Sequence, residues 1–377
     1  MKISCTQENL NQGLAITSHI TGKNSNLPIL ANIFFKINDK LISLAATNLE
    51  IGITTTIRGK VEAEGEFTID AKLLANYISL LPKERIDMEL EGDNLKIECA
   101  KQKTKIKTQG VADYPLIPQL TKENPYIIKT NLFKEAITKV VLAAANSDLR
   151  PEISGVLLDF NKQELILAAT DSYRLAENKI KIGQNSANNQ ENKIIVPAKT
   201  LQEVSRILNI LKEDAIEDSD NLEIYTTSNQ IMFSYGGVDL ISRIIEAQYP
   251  EYQQIIPASY KTKIKFNVAD LVKAVKTSSL FTKSGVYDVK LDFSNSKEVI
   301  ITSSSSQTGE STSLVEAEIS GEGDYIVLNY HYLLDGLQNI GSENVLMEVN
   351  DKNSMCILRP ENSQDYFYLI MPIRQDD

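Results

Sequence analysis

The chain has 377 residues, 42% of them hydrophobic and 24% charged, with a formal net charge of −11 at pH 7. That is an ordinary balance for two or three globular domains with a core in each, and no apolar run approaches the roughly 18 residues of a membrane helix. The charge argues against a freely adhesive nucleic-acid binder, because an acidic chain is repelled by phosphates unless its positive charge gathers on one face.

The opening segment, MKISCTQENLNQGLAIT, is a short alternating run, a polar break and then a helical pattern. It lacks the apolar centre of a signal peptide, so a cytoplasmic location is expected. Alternating strands follow at 41 (LISLAATN), then a strand-to-helix passage at 65 (GEFTIDAKLLANYISLL) and further strands from 86 (IDMELEGDNLKIECAKQKTKIKTQ). After ADYPLIPQLTKENP (112–125) the order begins again at Tyr126, with YIIKTNLFKEAITKVVLAA, LILAATD at 165, NKIIVPAKTLQEVSRILNIL at 192 and strands from 221. After AQYPEYQQIIPASY (247–260) it begins a third time at Thr262, with TKIKFNVADLVKAVKTSSLF, VIITSSSS at 299, DYIVLNYHYLLDGLQNI at 324 and strands from 344. The apolar pairs Leu10/Leu14, Phe133/Ile137 and Leu271/Val275 fill matching helical places.

A period of roughly 125 to 135 residues is domain-sized, so these are repeated domains and not short solenoid units. Both connectors carry Tyr-Pro and a further Pro, which favours extended chain. The spacing predicts domains at 1–120, 121–257 and 258–377, each α+β with two helices lying on antiparallel sheets.

Reactive constellations are absent. No phosphate-binding glycine loop, nucleophile elbow or H-E-x-x-H occurs. Cys5, Cys99 and Cys356 are scattered, and His19 and His331 are the only histidines, so neither a disulfide framework, a metal site nor a cofactor site is predicted. The acidic run EDAIEDSDNLE reads as a solvated loop, and Asp171 as a turn residue at a strand end, like Asn48 in the first repeat. The helical stretches carry about eight basic residues (Lys72, Lys134, Lys139, Lys199, Arg206, Lys273, Lys276, Lys283) against five acidic ones (Glu8, Glu135, Glu203, Asp270, Asp335). Helices gathered on one wall would therefore attract phosphates weakly and without sequence preference.

The threefold repeat, NLPILANIFF (26–35), AATDSYRLA (168–176), VPAKTLQEV (196–204), YPEYQQIIP (249–257) and the terminal YLIMPIR (368–374) occur in one order along the whole chain. In this it resembles the bacterial DNA polymerase III beta subunit, the sliding clamp. The resemblance implies three tandem clamp domains, joined head to tail in a homodimeric ring with helices lining the hole. Such a ring encircles and slides on duplex DNA. It is a non-catalytic accessory of the polymerase III holoenzyme, tethering the catalytic subunit and binding the clamp loader, other polymerases and repair proteins through short linear motifs.

Carried over position by position, the resemblance places a partner-peptide pocket at Ile153, Thr170, Ser172, Tyr173, Arg174, Leu175, Pro250, Gln254, Ile255, Leu369, Ile370, Met371, Pro372, Ile373 and Arg374. Arg174 and Arg374 would hold peptide carbonyls or carboxylates. The chain has Ser172-Tyr173 where the family usually has Gly-His, and Gln254 where Arg is common; Gln375, Asp376 and Asp377 add charge beside the groove. The ring joint would pair Lys101, Lys103, Lys105 and Lys107, on alternate positions of one strand, with Glu310, Glu316 and Glu318 around an apolar centre of Ile106, Leu280 and Phe281. The same lysines also read as guards of an exposed sheet edge. DNA contacts would come from Lys23, Asn24, Ser147 and Arg150 in loops and from Lys72, Lys199, Arg206, Lys273 and Lys276 on helices. Two other classes stay open on the residues alone: a scaffold with peptide partners only, and an enzyme of unrecognised type.

Overall fold

The computed structural model describes residues 1–377 except 23–26, 148, 184–185, 187–190, 212–220, 284, 296 and 375–377. Lys23, Asn24, Gln375, Asp376, Asp377 and most of the acidic run after Leu211 therefore lie outside the described residues. Among the described residues there are six α-helices, two per repeat: α1 Gln7–Thr17, α2 Ala71–Ser79, α3 Thr130–Val140, α4 Ala198–Leu211, α5 Val268–Ser279 and α6 Tyr330–Gln338. None of them is long and apolar enough to cross a membrane.

The polar breaks of the sequence are helix caps. Each helix follows a strand directly, and in four of them the last residue of the strand turns its side chain onto the exposed amides. Thr6 accepts from the Asn9 N–H, Asp70 from Leu73, Asn267 from Ala269 and Asp270, and Asn329 from His331. The apolar stripes then bury. In the first repeat Leu10, Leu14, Leu74 and Ile78 are fully enclosed with Ile33, Phe35, Leu44, Ile86, Met88, Leu95 and Ile97. Burial of each such side chain contributes about 1.5–3 kcal/mol.

The strands form three antiparallel sheets. The first runs, in hydrogen-bonded order, Gly59–Ala63, Lys2–Thr6, Arg85–Glu91, Asn94–Cys99, Gln102–Lys107. The second runs Tyr126–Lys129, Asn221–Thr226, Gln230–Tyr235, Val238–Arg243, Ile51–Ile57, Leu41–Thr47, Asn32–Asn38, Gly65–Asp70. The third runs Asn192–Pro197, Gly155–Phe160, Glu164–Thr170, Arg174–Lys181, Tyr366–Ile370, Cys356–Pro360, Asn344–Val349, Thr262–Asn267, Gly309–Gly321, Glu298–Ser305, Asp288–Asp292, Tyr325–Asn329. The middle repeat thus gives four strands to a sheet shared with the first repeat and four to a sheet shared with the third. For that reason the chain divides into two compact units, chiefly Met1–Thr130 with Glu203–Ile244 and Asn131–Ile182 with Ile245–Asp377, and the division runs through the middle repeat.

In the second unit α6 lies against the strand Tyr366–Ile370 through Gly336, where an added Cβ would sit 2.4 Å from the Tyr368 ring. Tyr368 is fully buried and has no room to yield. Replacing Gly336 by Ala should therefore destabilise the protein by about 1–3 kcal/mol through overpacking, seen as a lower denaturant midpoint. An unchanged midpoint would show that the helix can lift without cost.

Candidate functional site

The hairpin that carries AATDSYRL is held by an aspartate turn. The Thr170 hydroxyl donates to the Arg174 carbonyl at 2.7 Å and accepts from the Ser172 N–H at 3.1 Å. Asp171 Oδ1 accepts from the N–H groups of Tyr173 and Arg174 at 2.9 and 3.0 Å. This geometry forces Ser172 to φ +79°. A glycine would adopt that conformation without strain; the serine costs about 1 kcal/mol.

The strand Arg174–Lys181 pairs antiparallel with Tyr366–Ile370, Leu175 opposite Leu369, and the Met371 N–H continues the ladder to the Tyr173 carbonyl at 2.8 Å. Side chains alternate, so neighbours along these strands serve opposite faces. On one face Leu175, Leu369 and Phe367 pack with Tyr249 and Tyr252 of the second connector, and Met371 lies against the same cluster. The Tyr252 hydroxyl donates to the buried carboxylate of Glu177 at 2.6 Å and fixes the connector there. On the other face Arg174 meets Asp335 and Tyr332 of α6.

The structure thus brings together the three segments expected to form the peptide site, and it changes which residues can be touched. Ile153, Leu175, Leu369 and Ile370 are core residues with 2% exposure or less, and the Thr170 hydroxyl is engaged in the turn. Arg174 is the most engaged. Its Nε donates to Asp171 at 2.9 Å, its Nη1 to Asp335 at 2.5 Å, and its Cζ lies 4.5 Å from the Tyr332 ring centre. Burial opposes its charge, but Tyr368, Asp335 and Asp171 outweigh burial and hold the guanidinium protonated. It cross-links the turn to α6 in this structure. The accessible set is Ser172, Tyr173, Pro250, Gln254 and Ile255, with Met371, Pro372, Ile373 and Arg374 in the tail. Arg374 is exposed and makes no ion pair with a described residue.

The helix cations divide in the same way. Lys72 on α2, Lys199 on α4 and Lys273 and Lys276 on α5 are exposed and have no ion pair among the described residues. Lys273 and Lys276 are three residues apart and share a face. Lys139 is paired with Glu135 at 2.6 Å, and Lys283 lies beyond the end of α5. Arg206 is engaged within the fold: its Nη1 and Nη2 donate to the carbonyls of Ala15 and Ile16, both at 2.8 Å, and Nε and Nη2 grip the buried Glu203. It joins α4 to the C-terminal end of α1. Among the loop residues, the Ser147 hydroxyl accepts from the Leu149 N–H, and Arg150 bonds Glu152 and the Ser172 hydroxyl.

At the expected joint, Gln102–Lys107 is an edge strand with one neighbour. Lys103 pairs with Glu98 at 3.2 Å and Lys105 with Glu91 at 2.7 Å, which leaves Lys101 and Lys107 without ion pairs among the described residues. Ile106, at 8% exposure, belongs to the core of its own repeat. In the third repeat Gly309–Gly321 bonds Glu298–Ser305 along 309–316 and Thr262–Phe266 along 317–321. Its first half therefore keeps one edge open. Glu310 and Glu316 lie on that half, whereas Glu318 faces Lys265 at 3.5 Å. Leu280 caps α5 and is 72% exposed; Phe281 follows it in a turn and is half-buried. Leu314, 63% exposed, stands beside these glutamates and was not expected. Its position, one residue out of phase with buried Val315 in STSLVEAEI, was the readable signal.

Glu203 has one of the more demanding positions: 6% exposed, it neutralises Arg206 and also accepts from His19 Nδ1 at 2.7 Å. Glu203→Gln should lower stability by about 3 kcal/mol, because the arginine loses its counter-charge in a partly desolvated place. Lys199→Ala on the same helix should change it by less than about 0.5 kcal/mol. Denaturant titration of the two variants compares them directly; equal effects would contradict the assignment of the two cations.

Family models of the DNA polymerase III beta subunit match the chain in order: the N-terminal domain over 1–118, the central domain over 127–251 and the C-terminal domain over 253–374. The beta sliding clamp of Synechococcus elongatus is 27% identical, with 99% of each chain covered, and that of Streptococcus pneumoniae 26% identical, with 96% of each covered. The crystal structure of the beta subunit from Thermotoga maritima aligns over 100% of both chains with a TM-score of 0.91 and 27% identity. A threefold repeat of strand-capped helices on antiparallel sheets, matched in order from end to end, places this chain in the DNA polymerase III beta subunit family, the beta sliding clamps, which are processivity subunits and not catalysts.

Proposed function

We propose that two copies of this chain join head to tail through the open edges of Gln102–Lys107 and Gly309–Gly321 and close a ring around duplex DNA. Domains at 1–120, 121–257 and 258–377 would then present α1 to α6 to the duplex. The observation that carries the reading is electrostatic. In a chain of net charge −11, Lys72, Lys199, Lys273 and Lys276 recur on helices of all three repeats with no described carboxylate against them. A few unpaired cations attract phosphates weakly and without sequence preference, which suits sliding; retention comes from closure. A cytoplasmic site of action fits the three unpaired, buried cysteines, with the Cys5 thiol pushed up to about 12 by burial and by Asp87.

The partner site in this reading is the rim formed by Tyr173, Ile255, Met371, Pro372 and Arg374, an adaptable apolar surface for short motifs of polymerase, clamp loader and repair proteins. Tethering there raises the effective concentration of polymerase at the primer end.

The decisive experiment loads the protein on nicked circular DNA and then cuts the circle. Loss on linearisation is expected; equal retention on both forms would mean ordinary affinity. Changing Lys72, Lys199, Lys273 and Lys276 together to Ala should reduce loading and flatten its log–log salt dependence by about one unit for each phosphate that is no longer neutralised. Leu314→Asp combined with Leu280→Asp should yield monomers at micromolar concentration by sedimentation, and added salt should weaken the native dimer. Dimers unaffected by the double substitution would place the joint elsewhere.

A further inference from the structure

The first unit repeats the Thr170–Arg174 turn atom for atom. The Thr47 hydroxyl donates to the Ile51 carbonyl at 2.9 Å, as Thr170 does to Arg174, and accepts from the Leu49 N–H at 3.0 Å, as Thr170 does from Ser172. Asn48 Oδ1 accepts from the Ile51 N–H at 2.8 Å, in the place of Asp171 and Arg174. Leu49 stands at φ +78° and Ser172 at +79°. The following strand, Ile51–Ile57, pairs antiparallel with Val238–Arg243, and the Arg243 N–H reaches the Glu50 carbonyl at 3.2 Å just as Met371 reaches Tyr173. Tyr114-Pro115 of the first connector matches Tyr249-Pro250 of the second, and the two tyrosines are 9% and 8% exposed.

This frame encloses a cleft of about 360 Å³, within the size range of ligand pockets. Its apolar wall is Leu49, Ile51, Pro115, Leu116, Pro118 and Ile241. Leu49 is 46% and Leu116 96% exposed, two leucines held open in one cleft. Where the second unit places Ser172, Tyr173 and the carboxylate-bound Arg174, this site has Leu49, Glu50 and Ile51. The result is more apolar and has no internal ion pair. Its rim holds one cation, Arg243, which is exposed and makes no ion pair with a described residue; Glu50 lies beside it.

We propose that this cleft is a second docking site for a short extended peptide, one that buries two or three aliphatic side chains against Leu49, Leu116 and Ile241 and sets a carboxylate toward Arg243. The proposal extends the partner-peptide reading to another place, and it stands on residues of the first unit alone. The single positive charge over an apolar floor is complementary to an aliphatic motif with one acidic residue. A strongly acidic motif would be opposed by Glu50.

The test uses the full-length protein and a phage-displayed library of random octapeptides. Three targets are panned in parallel: the native protein, the Leu49→Asp/Leu116→Asp variant, and a Tyr173→Ala/Met371→Ala variant altered only at the other rim. All four side chains are at least partly exposed, so the folds should survive, and thermal unfolding of each variant checks this. The native protein should return a class of peptides, rich in aliphatic residues with one Asp or Glu, that the Leu49/Leu116 variant binds at least about tenfold more weakly. Arg243→Ala should weaken the same class, and hydrogen exchange should show protection at 47–52, 115–118 and 241–243. The Tyr173/Met371 variant should still bind that class. If no recovered peptide is sensitive to the Leu49/Leu116 change, the inference is overturned while the other rim keeps its own class as support. Sensitivity confined to an apolar dye such as anilinonaphthalene sulfonate would also overturn it, by showing exposed grease and not a docking site. If instead no class is sensitive to Tyr173 and Met371, the partner-peptide reading fails and this inference stands.

Discussion

Everything in this fold depends on strand pairing carried across the boundaries of the sequence repeat. Ile51–Ile57 bonds Val238–Arg243, and Arg174–Lys181 bonds Tyr366–Ile370. The Arg243 N–H to Glu50 carbonyl bond and the Met371 N–H to Tyr173 carbonyl bond extend these ladders at their ends, so backbone polar groups are paired where one repeat meets the next. The connectors are then folded back over the seam. Ile117 and Leu120 lie on Tyr225, Met232 and Ile241, and Tyr249 and Tyr252 on Leu175 and Leu369. Each junction brings a turn, a strand end and a proline-bearing connector together. The candidate sites arise there because the seam, and not the interior of a repeat, is where three distant pieces of chain converge.

The charge pattern follows from the same construction. Two arginines have their rigid forks filled by carbonyls and carboxylates of the fold, Arg174 by Asp171 and Asp335 and Arg206 by Glu203 and two carbonyls of α1, whereas Arg243 and Arg374, at strand ends by the seams, stay exposed. Lysines on the outward helix faces meet no such convergence and remain with water. On the helices, the arginine is thus used up within the fold and the exposed lysines Lys72, Lys199, Lys273 and Lys276 are left without ion pairs among the described residues. The sorting matters for a protein that must hold DNA loosely: arginine forks aimed at phosphates would bind bidentately and resist sliding.

Much of the fold was legible because its signals are local and repeated. The cap residues Thr6, Asp70, Asn267 and Asn329 sit at the breaks between period-two and period-3.6 patterns, and two helices per repeat follow from them. The convergence of AATDSYRL, the second connector and YLIMPIR was also readable, through resemblance. What could not be read was pairing partner and face. Nothing local in EAEISGEG reveals that the strand changes neighbour after Glu316, so that Glu318 meets Lys265 and Glu316 keeps an open edge. Nor does KTKIK show that Ile106 turns inward while lysines of the same strand find Glu91 and Glu98. Asp335, which lies 161 residues after Arg174, decides whether that arginine is available, and only the tertiary structure brings the two together.

The repeat also separates what is inherited by the backbone from what is chosen by side chains. Thr47 and Thr170 close the same turn, with left-handed residues at +78° and +79°, and the sheet edge and connector arrive in the same places. Such identity of frame across two seams means that the turn is required for the junction itself, whatever binds there. Divergence then falls on the residues the frame leaves outside. Leu49, Glu50 and Ile51 replace Ser172, Tyr173 and Arg174, and none of these exchanges alters a main-chain bond. A triplicated module can in this way keep one mechanical joint while each copy of the joint acquires its own surface chemistry. The exposed leucines of the first unit are hard to explain as joint residues, since the joint is complete without them.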